Sequence, residues 1–378
     1  MKINQLDLFS GIGGFHLGFE KAGYKVTSFF SEVDKHAIAV YKQQFKNSTY
    51  VGSVTDVRGE DLPRIDLITF GSPCQDFSLA GKRKGMDGDR SSLILEAIRL
   101  IGECRPRVFV WENVKGTFSS NSGEDFAAII QAFANIGGYR LEWQLLNTSW
   151  FLPQNRERIY LVGYSTETKR DWRGVFPIGE SNPKIDELQR QHLPANTILQ
   201  RYDAGANGTY IGECKQSAQA VKQIGTKLDS NGGTQPYQQD RVYDADGIVP
   251  ALNQGKSDLI IKANYSSKSL NETIENNILV EGEPKALDLY NRSARDESPT
   301  LTEPHHNSLR MFDGYRIRRL TPIECERLQG FPDDHTSLGN YDGEVKPMSI
   351  AQRYKQCGNA VTVDVVKAVA ERCKPLFK

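Results

Sequence analysis

Apolar residues along this chain fall into two kinds of run. "INQLDLF", "RIDLITF", "RVFVWENV" and "RIYLVGY" are short, dense in Ile, Val, Leu and aromatics, and end near Gly, Ser or a charged residue. Runs of that length and density predict buried parallel strands. Between them, "SSLILEAIRLIGEC" and "GEDFAAIIQAFANIGG" place apolar residues three and four apart, the spacing of amphipathic helices. Strand alternating with helix predicts an α/β domain built on a mainly parallel sheet. The alternation holds to about Tyr164. From about Phe176 to Leu309 it stops, and the segment is rich in Gly, Asn, Gln, Ser and Thr with short strand-like pieces such as "GIVPALNQ" and "DLIIKANY". That composition predicts irregular, turn-rich structure. Two of its pieces, "DADGIVPAL" and "RDESPTL", are weakly alike, by chance or as a repeated turn. From Arg310 onward order returns. A basic patch leads to a helix signal in "TPIECERLQGF", and "QCGNAVTVDVVKAVAERC" reads as a strand or turn followed by a periodic helix.

Composition narrows the classes. The chain has 378 residues, enough for one large domain or two ordinary ones, with 38% hydrophobic and 25% charged residues. No stretch approaches the ~20 apolar residues of a membrane span, and the N-terminus has no secretory pattern, so a cytoplasmic protein without membrane contact is expected. Six cysteines occur with no C-x-x-C pair, which suggests neither a disulfide framework nor a metal site. Formal net charge is +0, so any nucleic-acid surface has to be local.

Candidate chemistry lies at the strand ends. "DLFSGIGGF" sets Gly11, Gly13 and Gly14 between a strand and a helix, where glycine permits a tight turn and close approach to a ligand. Glu32 ends the next strand, 18 residues beyond Gly14, about where a carboxylate holds the ribose of a nucleotide-type cofactor. An ordinary strand–helix turn has the same glycines, and the match to dinucleotide binding is imperfect; Phe9 inside the motif suits a stacked adenine. In "GSPCQDFS", Cys74 sits on a stiff turn just after an apolar run. A thiolate there can attack an electron-poor carbon, although a free cysteine is more often simply buried. Two features favour the nucleophile. Glu112 in "WENV" falls at the same sheet edge, and Arg156 and Arg158 in "QNRERIY" alternate and so share a face.

The ordered series "DLFSGIGGF", "GSPCQDFS", "WENV", "QNRERIYLVG", "RRLTPIECERLQGFP" and "QCGNAV" resembles the DNA (cytosine-5) methyltransferase family, from Leu6 to about Val366 with only the middle unmatched. The resemblance implies a Rossmann-like catalytic domain using S-adenosylmethionine, a smaller target-recognition domain, and a cytosine flipped out of duplex DNA. It implies that Cys74 adds to carbon 6 and that Glu112 stabilises the charge on the base. Arg158 would hold the base's carbonyl oxygen, with Arg156 close by. Phe9, Gly11, Gly13, Gly14, Glu32, Pro73 and Asn359 would bind the cofactor. The family's usual "GD" after the third strand reads "GSVTD" here, so either Ser53 or Asp56 would contact the adenine amine. Ala360 stands where serine is common. The loop "GKRKGMDGDRSS" resembles the family's mobile active-site loop, with Arg90 a phosphate contact and Ser78 a second contact to DNA; Thr300, in a Thr-Leu pair frequent in recognition domains, is a third.

The expected organisation is a catalytic domain over 1–175 and 346–378, a recognition domain over 176–310, and a connecting segment over 311–345. From Ser181 to Arg310 there are 14 Lys and Arg against 17 Asp and Glu. Phosphate contacts then fall to selected residues and to flanks such as Arg310, Arg316, Arg318 and Arg319. Three functions compete: methylation of cytosine in duplex DNA for restriction–modification or a solitary role, methylation of tRNA cytosine, and DNA binding by an inactive scaffold. Intact Cys74, Glu112 and Arg158 favour an enzyme, and the long variable segment favours DNA. A monomer is expected.

Overall fold

The computed structural model describes residues 1–72, 92–118, 123–167, 174–179, 197–199, 210–214, 272–273, 277, 279, 284–300, 309–312, 317–318 and 320–378. Its frame is a sheet in the order β3-β2-β1-β4-β5-β7-β6-β9-β8. The strands are β1 (Lys2–Leu8), β2 (Lys25–Ser31), β3 (Thr49–Tyr50), β4 (Leu67–Gly71), β5 (Val108–Val114), β6 (Tyr139–Asn147), β7 (Glu157–Ser165), β8 (Thr197–Leu199) and β9 (Tyr210–Cys214). The first five run parallel. The helices of this part are α1 (Gly14–Lys21), α2 (Lys35–Gln44), α3 (Ser92–Cys104) and α4 (Glu124–Asn135).

Two corrections concern the sheet. "RIYLVGY" forms β7, which runs antiparallel to β5 and not parallel as its apolar density suggested. The reason is connectivity: β6 and β7 are antiparallel neighbours joined through residues 148–156, a connection too short for a parallel crossover. In addition, β9 pairs antiparallel with β6, and β8 with β9, so the sheet continues into the segment read as irregular.

Alternation along the strands builds a core on both faces. Phe109 and Trp111 of β5 pack with Ile94, Ala97 and Leu100 of α3 and with Phe126 and Phe133 of α4. Val108 and Val110 face the other way, towards Phe15 and Phe19 of α1. The same layer takes in the C-terminal helix. After α5 (Pro322–Leu328) and α6 (Ile350–Asn359), α7 (Val363–Cys373) returns to the first helix and contributes Val365, Val366, Val369 and Ala370. Gly18 makes the α1–α7 contact possible, because a Cβ there would overlap the Val366 side chain. "QCGN" therefore ends a helix, not the strand or turn expected.

Helix starts follow local chemistry. Asp34 caps α2 by accepting from His36 N–H at 2.8 Å. Thr321 and Glu324 form a capping box at α5, with Pro322 in its first turn. The remaining strands make two small antiparallel sheets. One joins β10 (Lys285–Asp288), β11 (Ser293–Arg295), β12 (Leu309–Phe312) and β13 (Ile317–Arg318). The other is the hairpin β14 (Leu338–Tyr341) and β15 (Glu344–Pro347), whose first strand packs against α2.

Strand order reverses at β1, since β2 lies on one side of it and β4 on the other. Ligand crevices of open α/β sheets form at the carboxyl edge of such a switch point. Register pairs Leu8 with Ser31 and with Phe70, Gly71 with Glu112, and Val114 with Arg158. The loops carrying the glycines, Glu32, Ser72 and Glu112, together with the start of β7, thus line one edge.

Candidate active site

The glycine turn follows β1. Phe9, Gly11 and Gly13 all have positive φ, at 51°, 54° and 84°. Glycine suits two of these positions, whereas Phe9 carries strain of the kind found at ligand sites. A Cβ on Gly13 would collide with the Phe45 ring, while among the described residues nothing lies within 4 Å of the corresponding point on Gly11. The turn is therefore packed from below and open above. Glu32 holds it. Its Oε2 accepts the Gly11 N–H at 2.9 Å, and its Oε1 accepts those of Val33 at 2.7 Å and Asp34 at 3.0 Å. A carboxylate has about four acceptor sites, so one is left for a hydroxyl. Next to it Val33 is 76% exposed, an apolar side chain at the mouth. The Ser10 hydroxyl is buried and has no hydrogen-bond partner among the described residues.

Beneath the turn lies a buried polar chain. Gln5 Nε2 donates to Thr69 Oγ1 at 2.7 Å, Thr69 donates to Asp7 at 2.7 Å, and Tyr41 reaches the other Asp7 oxygen at 3.3 Å. Burial pushes the Asp7 carboxyl up to about 8, against the opposing effect of these hydrogen bonds. From the far side, His335 places Nε2 2.9 Å from the carbonyl of Ile12 in the turn. Burial lowers this imidazole to about 4, so it is neutral at pH 7 and its Nε2–H is the donor.

The loop after β3 brings Ser53 and Asp56 to the same edge. Ser53 Oγ lies 2.9 Å from Thr55 Oγ1, which donates to Asp56 at 3.2 Å. Arg99 of α3 anchors this loop from behind, reaching the carbonyls of Val54 at 3.3 Å and Val57 at 2.9 Å.

Across the switch point stands an ion pair. Arg158 Nε is 3.1 Å from Glu112 Oε1, and both side chains are largely buried. Antiparallel β7 explains the meeting, because its first residues lie opposite the last of β5. Gly71 makes room, since a Cβ there would be 3.1 Å from Glu112 Oε2. Ser72 is fixed by Trp111 Nε1 at 3.0 Å and Asn113 Nδ2 at 3.3 Å. Pro73, Cys74, Ser78 and Arg90 lie outside the described residues, as do Arg316 and Arg319.

Arg156 has a different partner from Arg158. Its guanidinium donates to the carbonyls of Gly358 at 3.3 Å and Ala360 at 2.8 Å. Those carbonyls flank Asn359, exposed at the end of α6. Val361 then packs against the glycine turn, its Cγ2 2.6 Å from where a Cβ of Gly14 would be. Arg156 thereby ties the start of β7 to the segment that meets the turn. Thr300 sits nearby, its Oγ1 donating to the carbonyl of Asn155 at 2.9 Å.

A glycine turn with an acid-held loop and a Glu–Arg pair on one sheet edge suit chemistry on a planar base with a nucleoside-type cofactor. Comparison with known proteins decides the class. The C-5 cytosine-specific DNA methylase family matches residues 3–375. The chain belongs to this family. The orphan methyltransferase M.SPRI of Bacillus phage SPR is 30% identical over 436 residues, covering 97% of this chain and 96% of its own. The type II methyltransferase M.NlaX of Neisseria lactamica is 30% identical over 371 residues, covering 98% and 95%. Among solved structures, the S. pombe Dnmt2 methyltransferase superposes with a TM-score of 0.57 at 16% identity, with 100% of each chain covered. The Entamoeba histolytica methyltransferase EhMeth gives 0.54 at 15% identity, covering 100% and 98%. These two show the fold. The family match makes the chain a DNA cytosine-5 methyltransferase that uses a methyl-donor cofactor, in preference to the tRNA and inactive-scaffold alternatives. Among the described residues no helix is long and apolar enough to cross a membrane.

The sequence reading missed Val33, Ser72 and Arg99. Val33 was legible as an apolar residue directly after the acid at a strand end. The other two act through hydrogen bonds to residues far along the chain, and no local pattern marks them.

Proposed function

We propose that this enzyme transfers a methyl group from S-adenosylmethionine to carbon 5 of a flipped-out cytosine within a specific sequence of duplex DNA. The observation that carries the assignment of roles is the Arg158–Glu112 pair at 3.1 Å, at the sheet edge where the chain leads through Ser72 towards Cys74. Two peptide units, at most about 7 Å of chain, separate Ser72 from Cys74.

The glycine turn fits the cofactor. Among the described residues nothing covers Gly11, and the Ser10 hydroxyl is buried without a partner. Phe9, Gly11, Gly13, Gly14, Glu32, Ser53 or Asp56, Pro73 and Asn359 would hold S-adenosylmethionine, with Val33 against its adenine. Bound there, it supplies an electrophilic methyl group.

The protein's own residues make the base reactive. Carbon 5 of cytosine is too weak a nucleophile alone. The Cys74 thiolate adds to carbon 6, forming the S–C6 bond and shifting the double-bond electrons towards carbon 5. Glu112, as the carboxylic acid, donates its proton to ring nitrogen 3 as charge builds there, while its other oxygen accepts from the exocyclic amine. Arg158 orients Glu112 and reaches the base carbonyl oxygen. After carbon 5 is methylated its proton leaves, the electrons restore the double bond, and the S–C6 bond breaks to release Cys74.

The segment 176–310 serves as the target-recognition domain and 311–345 connects it to the catalytic domain. Ser78 and Arg90 contact the DNA backbone. The enzyme works as a cytoplasmic monomer, in a restriction–modification pair or alone as the named relatives do. Bisulfite sequencing of DNA from cells expressing the chain tests this reading. Protected cytosines in one recurring sequence are expected; the absence of any protected cytosine contradicts it.

A further inference from the structure

Recognition and chemistry belong to different parts of the chain, so something has to couple them. Besides the β6–β9 pairing, the described residues show a joint between them beside Arg156. Ser298, Pro299 and Thr300 run alongside the connection between β6 and β7. Gln154 and Ser298 form an isolated parallel bridge. The Asn155 N–H donates to the Ser298 carbonyl at 3.1 Å, and the Thr300 hydroxyl donates to the Asn155 carbonyl at 2.9 Å.

Asn155 uses its main-chain N–H, its carbonyl and its side-chain oxygen in this arrangement. Its side-chain oxygen accepts from Asn147 Nδ2 at 2.9 Å, while Asn147 Oδ1 accepts the N–H of Arg156 at 3.1 Å. The carbonyl held by Thr300 belongs to the peptide unit whose nitrogen is that of Arg156. Arg156 in turn grips Gly358 and Ala360, and Arg158, two residues on, pairs with Glu112. Gln154 is 0% and Ser298 5% exposed. Thr300 and Asn155 are themselves half-buried, beside this buried bridge. A hydroxyl has one proton, and Thr300 commits it to Asn155.

We infer that Thr300 is a positioning residue: it transmits the placement of the recognition segment to the strand start that carries Arg156 and Arg158. This rests on the roles proposed above for Arg158 and for segment 176–310. Its contribution is to the rate within the bound complex and not to the holding of DNA.

The test uses the full chain and a short duplex carrying the sequence that bisulfite sequencing identifies. Single-turnover methyl transfer is measured at saturating enzyme and labelled S-adenosylmethionine. Duplex and cofactor dissociation constants are measured separately. Thr300→Val keeps the shape and removes the proton; it is expected to slow transfer up to about tenfold, the value of one hydrogen bond, with both dissociation constants unchanged. Thr300→Ser keeps the hydroxyl and is expected to recover the wild-type rate, which a loss of packing alone would not explain. A weaker duplex affinity with an unchanged saturated rate would make Thr300 a DNA contact and overturn the inference. An unchanged rate also overturns it. Should Thr300→Val lose its cooperative thermal transition, Thr300→Ala is measured in its place; loss of folding in both would make Thr300 a stability residue and overturn the proposal. A wild-type protein that methylates no DNA fails the underlying reading, whereas an active wild type with an indifferent valine variant fails this inference alone.

Discussion

Replacing Glu32 by glutamine tests the cofactor end of the site on an atom-by-atom basis. The carboxylate accepts three backbone N–H groups, with Gly11 on Oε2 and Val33 and Asp34 on Oε1. An amide has one oxygen. Kept on Val33 and Asp34, it turns its NH2 towards the Gly11 N–H, donor against donor, and the turn loses its tether. It also removes the acceptor site proposed for a ribose hydroxyl. A hydrogen bond to a charged group contributes about 1.5–3 kcal/mol. At ~1.4 kcal/mol per tenfold, the dissociation constant for S-adenosylmethionine should rise about 10- to 100-fold. Titration calorimetry measures it directly, with Glu112→Gln as the control that leaves this end of the site untouched. Methyl transfer at saturating cofactor should remain close to wild type, because Glu32 touches no reacting atom in this account. An unchanged dissociation constant, or a saturated rate that collapses while binding persists, would refute the reasoning.

Glu112→Gln should lower turnover by about 10²–10³-fold, as for removal of one electrostatic stabiliser, with cofactor affinity retained; steady-state rates on the identified duplex check this. His335 is lowered to about 4 in the folded protein, below the ~6.5 of an unfolded histidine, so between those values the unfolded chain binds the extra proton. Its share of stability is therefore present above about pH 6.5 and is lost as pH falls towards 4, a loss of about 3 kcal/mol that urea unfolding should show in wild type and not in His335→Gln. Asp7 acts with the opposite sign: raised to about 8 from the ~3.9 of an unfolded aspartate, its share is present below about pH 4 and is lost as pH rises from there to 8, and Asp7→Asn should abolish this decline.

Much of the site was legible because strand ends were legible. Glycines and an acid each followed an apolar run, and a parallel sheet brings such ends together. The interior of β1 was less transparent. Gln5 and Asp7 read as polar interruptions, yet both are fully buried, because Thr69 and Tyr41 meet them from β4 and α2. The direction of β7 was hidden because apolar density marks burial and says nothing of orientation; the short link through Asn155 decided it. The grip of Arg156 on Gly358 and Ala360 spans about half the chain, and no sequence period reports a contact of that separation.

The central claim is the covalent route through Cys74, and a duplex bearing 5-fluorocytosine at the target position tests it most directly. Once the thiol has added to carbon 6 and the methyl group has reached carbon 5, release requires loss of a proton from carbon 5. Fluorine there cannot leave as a proton, so the S–C6 bond persists. A denaturing gel with a labelled duplex should show a shifted band that requires S-adenosylmethionine and disappears in Cys74→Ser. The same duplex, carrying the verified target and giving no cofactor-dependent band with the active wild-type enzyme, would contradict the account.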